Sequence, residues 1–147
     1  MRHQAAGEDR LGFGILLKGW IWLSVGDYAQ TLNIFEELLA SARTANNHVD
    51  MVMHLGTLAR AASASGDLAL AAGYLEEANR YGTEVSDSWM SFTRYPHALL
   101  AIAHGEYNLA FERLKFLTEH WYADPQFRPI QLLLVAFGIL AEKEGQH

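Results

Sequence analysis

The chain has 147 residues, half of them hydrophobic and 19% charged, which suits one globular domain with a sizeable core rather than a disordered segment. With 11 basic and 17 acidic residues the net charge is −6, which argues against a nucleic-acid face built from clustered Lys and Arg. The absence of cysteine excludes disulfides and thiolate metal sites.

Residues 1–10 are charged and lack an apolar stretch, so they read as a frayed or disordered segment with no secretory signal. Helical periodicity begins near Leu11 and runs to Val25, with Ile15, Gly19, Trp22 and Leu23 recurring on one face. Gly26 can adopt a positive φ and end this helix, and Asp27 offers an N-cap oxygen to the next. The second helix, Tyr28 to about Arg43, places Leu32, Phe35, Leu38 and Leu39 on a stripe and leaves Glu36 and Glu37 toward water. A turn is expected at Asn46 and Asn47.

A third helix from about Val49 to Ser65 puts Val52, Leu55, Leu58, Ala59 and Ala62 inward. It breaks at Gly66-Asp67. Leu68 to Tyr81 follows, with Ala71, Leu75 and Ala78 inward. The fifth helix starts at Ser86 or Asp87 and runs to His104; Pro96 inside it predicts a kink or a break. Glu106 to Trp121 is its partner, with Ala110, Leu114 and Leu117 inward. A turn-rich connector at residues 124–129 leads to a last helix from about Ile130 to Glu144. Neither Leu11–Val25 nor Ile130–Ala141 reaches the roughly 20 apolar residues of a membrane span, so a soluble, cytoplasmic protein is expected.

Three segments repeat: Gly26-Asp27-Tyr28-Ala29, Gly66-Asp67-Leu68-Ala69 and Gly105-Glu106-Tyr107-Asn108. They are spaced by 40 and 39 residues (26 to 66, 66 to 105). A fixed period of this size signals stacked helical hairpins, each unable to bury its apolar face alone. The expectation is an all-α stack of about seven helices in three and a half antiparallel hairpins. The repeats fall at about 11–45, 46–84, 85–124 and a half repeat at 128–147, in one domain over 11–147.

The pattern resembles the tetratricopeptide-repeat superfamily. The first repeat reads Ile15, Lys18, Gly19, Trp22, then Thr31 and Phe35; the second reads Leu55, Leu58, Ala59, Ala62, then Ala71 and Leu75. The third reads Arg94, His97, Ala98, Ala101, then Ala110 and Leu114, and the closing half reads Leu134, Phe137, Gly138, Ala141. Lys18, Arg94 and His97 stand where the family has apolar side chains, so repeats one and three depart from it. The long period looks like the MalT-like tetratricopeptide regions of bacterial ATP-dependent transcription regulators. The resemblance implies a right-handed α-α superhelix, a solenoid with a concave groove lined by the first helix of each hairpin. By offset from each glycine, that groove takes Phe13, Leu16 and Trp20, then Met53, Gly56 and Arg60, then Phe92, Tyr95 and Leu99. The alternative is that these aromatics are ordinary core between helices.

Seven histidines invite a metal reading, but neither His97 with His104 nor His48 with His54 has the i, i+4 spacing of a zinc helix, so no metal and no cofactor is expected. The carboxylate pairs Glu36/Glu37, Glu76/Glu77 and Glu142/Glu144 read as solvated helix faces, with an acidic stripe for a basic partner as the minority reading. No nucleophile elbow or phosphate loop is visible, so no enzyme is expected. The last helix carries Ile130, Leu133, Leu134, Phe137 and Leu140, more apolar surface than one preceding hairpin can cover. It predicts a homodimer through that end or a piece of a longer solenoid. The reading is a non-enzymatic scaffold for a protein or peptide partner, with neither nucleic acid nor membrane. The alternative is a ligand- or inhibitor-sensing region of a transcription regulator.

Overall fold

A computed structural model describes residues 2–121 and 130–145, which form seven α-helices: α1 (Arg2–Val25), α2 (Tyr28–Thr44), α3 (His48–Ala64), α4 (Leu68–Asn79), α5 (Asp87–Ala103), α6 (Tyr107–Trp121) and α7 (Ile130–Gly145). The first helix begins at Arg2, so residues 2–10 are helical rather than a frayed segment. Gln4, Ala5, Ala6 and Glu8 are good helix formers and extend the apolar helix backward.

The turns explain the repeat. Gly26, Gly66 and Gly105 have φ of 84°, 88° and 74°, a left-handed geometry that costs glycine nothing. At each turn the same two bonds close the helix. The Gly26 N–H donates to the Leu23 carbonyl at 3.2 Å and the Asp27 N–H to the Trp22 carbonyl at 3.0 Å. The pairs Gly66 to Ser63 with Asp67 to Ala62, and Gly105 to Ile102 with Glu106 to Ala101, reproduce it. Asn46, at φ 51°, makes a fourth such turn without glycine, bonding Arg43 while Asn47 bonds Ala42. The next helix is then capped: Asp27 accepts from the Gln30 N–H, Asn47 from Asp50 and Asp67 from Leu70, each at 3.1 Å. Ser86 occupies the N-cap of α5 but makes no side-chain cap bond.

Each helix packs on the next, and α3 on α5 and α5 on α7 besides. Equivalent positions meet equivalent fates. Five residues after each turn glycine, Thr31, Ala71 and Ala110 are all fully buried, and nine after it so are Phe35, Leu75 and Leu114. The middle of the molecule is α3, buried without interruption from Met51 to Ala59 because α2, α4 and α5 surround it. One cluster joins Phe35 and Leu39 of α2 to Met51, Leu55 and Leu58 of α3. A second joins Tyr95 and Ala98 of α5 to Leu114 and Leu117 of α6 and Leu140 of α7.

Two glycines allow close approach. A Cβ on Gly19 would sit 2.5 Å from the Phe35 ring, so α1 can lie against α2 only where that position is bare. The inward face of α1 is therefore Leu16, Gly19, Trp20 and Leu23, while Ile15, expected inward, is 41% exposed. A Cβ on Gly56 would sit 2.7 Å from the Phe92 carbonyl carbon, and closer to its oxygen, fixing the α3–α5 crossing. That same carbonyl is the one to which Pro96, four residues on, cannot donate. Of the expected kink or break, the break does not occur: α5 runs unbroken through Pro96. Its buried ring, the close contact with α3 and the Thr93 hydroxyl donating to the Met90 carbonyl at 2.7 Å hold the helix together.

Candidate functional site

The residues assigned to a groove by resemblance fall into three environments. Phe13 is 59% exposed. Leu16 and Trp20 are half-buried against the Phe35–Leu39 cluster, so Trp20 is partly core rather than an open groove residue. Met53 and Tyr95 are buried, which removes both from a free surface. Met53 lies in the fully packed α3, and the Tyr95 ring is capped by the Arg60 guanidinium at 5.4 Å. Arg60, Phe92 and Leu99 are half-buried. Burial lowers the Arg60 pKa, and the Phe92 ring stacks on Trp89 at 6.0 Å between centroids. Of this set on α3 and α5, Arg60, Phe92 and Leu99 are the residues that stay partly exposed.

The exposed apolar surface lies elsewhere. Phe13, Leu17, Ile21 and Val25 are 59%, 42%, 61% and 67% exposed. Spaced four apart, they form a continuous stripe on the side of α1 away from Gly19 and Leu23. Sequence reasoning missed the stripe because the whole segment is apolar, and periodicity alone leaves the buried face ambiguous by a residue.

At the other end, Leu140 is buried against Tyr95, Ala98 and Leu117, so it belongs to the core and not to an exposed end face. The side chains of Ile130, Leu133, Leu134 and Phe137 lie outside the described residues.

The carboxylates are not uniformly solvated. The Tyr74 hydroxyl donates to Glu36 at 2.7 Å, and burial with that bond pushes the phenol pKa up. Arg43 grips Glu77 with both fork nitrogens at 2.6–3.0 Å, and that bond raises its pKa. These two bonds tie α2 to α4, which leaves Glu37 and Glu76 as the outward members of the two pairs. His48 pairs with Glu84 and tilts against Tyr81 at 4.7 Å, and His104 lies 3.8 Å from Glu106. Among the described residues no three metal-ligating side chains cluster.

Arg94 and His97, which depart from the residues at the same places in the second repeat, line one cavity of about 290 Å³. The end of α4 supplies Asn79, α5 supplies Asp87, Thr93, Arg94 and His97, and α6 supplies Arg113. Arg94 lies 3.7 Å over the Phe116 ring and 3.6 Å from Asp87, whose side chain is 81% exposed. Its Nε is buried and has no hydrogen-bond partner among the described residues. Burial, then Arg113 and Arg94, lower the His97 pKa to about 4, so the imidazole is neutral at pH 7. Burial and Arg113 also lower the Arg94 pKa against Asp87, which raises it. Arg113 makes no ion pair among the described residues.

Set against models of known protein families, against curated proteins and against solved structures, the chain matches none. No described helix is long and apolar enough to cross a membrane.

Proposed function

We propose that the chain is a non-enzymatic scaffold of tetratricopeptide-like hairpins that holds a protein or peptide partner. The observation that carries the reading is the Phe13–Leu17–Ile21–Val25 stripe. An apolar row of four exposed side chains along one helix is a surface that a partner helix or apolar peptide covers. Repeating turns and an uninterrupted central core support it, since they present that row on a rigid body. The partner's chemistry is complementary: an amphipathic segment with apolar side chains at i, i+3, i+4 and i+7.

The test places a photo-crosslinking amino acid at Leu17, and at exposed Asn33 of α2 as control, in cells that express the chain natively. One protein adduct at Leu17 that is absent at Asn33, and lost in an Ile21→Glu background, is expected. Identical adduct patterns at the two positions would overturn the proposal.

A further inference from the structure

Two positions of the third hairpin carry ionisable side chains where the second hairpin has hydrocarbon. Eleven and eight positions before the turn glycine Gly66, Leu55 and Leu58 are fully buried hydrocarbon, and Arg94 and His97 hold the same places before Gly105 in α5. The two guanidinium groups set into one cavity repel each other, and burial of Arg94 and His97 adds a desolvation cost that packed leucines would avoid. Among the described residues that line the cavity, Asp87 is the acidic one. Asp87 reaches Arg94 only at 3.6 Å from a largely solvated position, and such pairs contribute little.

We infer that this cavity is a binding site for a small molecule carrying a phosphate group, held between Arg94, His97 and Arg113. The donors come from two helices, α5 and α6, so they approach from different directions, and a tetrahedral oxyanion can meet them together while a planar carboxylate fits one guanidinium fork. Arg94 is pre-positioned by the Phe116 ring beneath it, which reduces the ordering cost of binding. Its buried Nε lacks a partner among the described residues. Neutral His97 supplies one ring N–H without adding a third positive charge. A volume of about 290 Å³ admits a metabolite rather than a folded segment, and Asn79 and Asp87 can bond its polar remainder. The site lies on α4–α6, away from the α1 stripe, so it stands or falls independently of the scaffold reading.

Inorganic phosphate is the probe, followed by thermal unfolding and by the His97 ring resonances in NMR. Malonate and chloride at matched ionic strength are compared, with wild type, Arg113→Gln and Arg80→Gln, whose arginine is exposed and outside the cavity. Saturable movement of the His97 resonances and a rise in Tm with phosphate at about 10 mM are expected for wild type and Arg80→Gln. Arg113→Gln, which removes a half-buried surface cation and leaves the core intact, should weaken phosphate binding about tenfold or more. An unsaturable response that chloride reproduces, equal affinity in Arg113→Gln, or binding of malonate but not phosphate would each overturn the assignment.

Discussion

Gly56→Ala tests the packing at the centre of the molecule most directly. The new Cβ would lie 2.7 Å from the Phe92 carbonyl carbon and 3.1 Å from its Cβ, and closer still to the carbonyl oxygen. Carbon atoms pack at about 3.5–4.0 Å, so α3 and α5 must part by roughly 1 Å. Backbone atoms form most of the obstacle, so no rotamer change relieves it. Overpacking of this kind costs about 3 kcal/mol, and alanine's better helix propensity returns about 1 kcal/mol, leaving a net loss of about 2 kcal/mol. The matched control is Gly73→Ala in α4, where nothing lies within 4 Å of the added Cβ. It should gain up to about 1 kcal/mol. The same chemical change thus differs by about 3 kcal/mol between two helices, a separation in Tm of roughly 6–12 °C for a chain of this size. Urea unfolding followed by far-UV circular dichroism reads it, with unchanged m-values showing that the unfolded state is not responsible. A Gly56→Ala protein as stable as wild type, beside a stabilised Gly73→Ala, would refute the close α3–α5 crossing.

Trp20→Ala should cost about 2 kcal/mol in urea unfolding, because Trp20 packs on the Phe35–Leu39 cluster; an unchanged midpoint would return it to an open surface. Leu75→Ala, at a position 1% exposed, should cost about 2–5 kcal/mol by the same assay. Arg43→Gln should change stability by less than about 1 kcal/mol despite the two-pronged bond to Glu77, since the Arg43 side chain is 48% exposed. Folding lowers the pKa of His97 to about 4 and that of His54 in the same direction, from an ordinary 6.5 in the unfolded chain. The unfolded state therefore binds more protons in that window. The stabilisation is complete above about pH 6.5 and is lost as the pH falls toward 4. Solvent at the cavity mouth limits the His97 share to about 1–2 kcal/mol. His97→Gln should flatten the decline between pH 6.5 and 4 in denaturant midpoints, and an unaltered slope would count against the buried imidazole.

Much of the fold was legible because its signals are local. A glycine followed by Asp at a constant interval states both how one helix ends and how the next begins, and Gly26, Gly66 and Asp67 act as that chemistry requires. Asn46 was readable as a turn for the same reason: its side chain tolerates positive φ. Features that depend on neighbours distant in sequence were less legible. Pro96 alone argues for a break, but α3 and the Thr93 hydroxyl keep α5 whole. The rotation of α1 depends on the Phe35 ring finding Gly19, and from that one contact follow the burial of Leu16 and Trp20 and the exposure of Phe13 and Ile21. The cavity was foreshadowed by two residues that break the repeat pattern. Its third member, Arg113, sits on another helix and carries no sequence signal.

The burial of α3 on all sides has a mechanical corollary. α1 is held chiefly by α2, while α3 is clamped by α2, α4 and α5 together, so loosening can begin at the periphery without disturbing the middle. Amide protons of Val52 to Ala59 should be the last to exchange with deuterium. A protease that trims α1 would leave a smaller body still folded around this central rod.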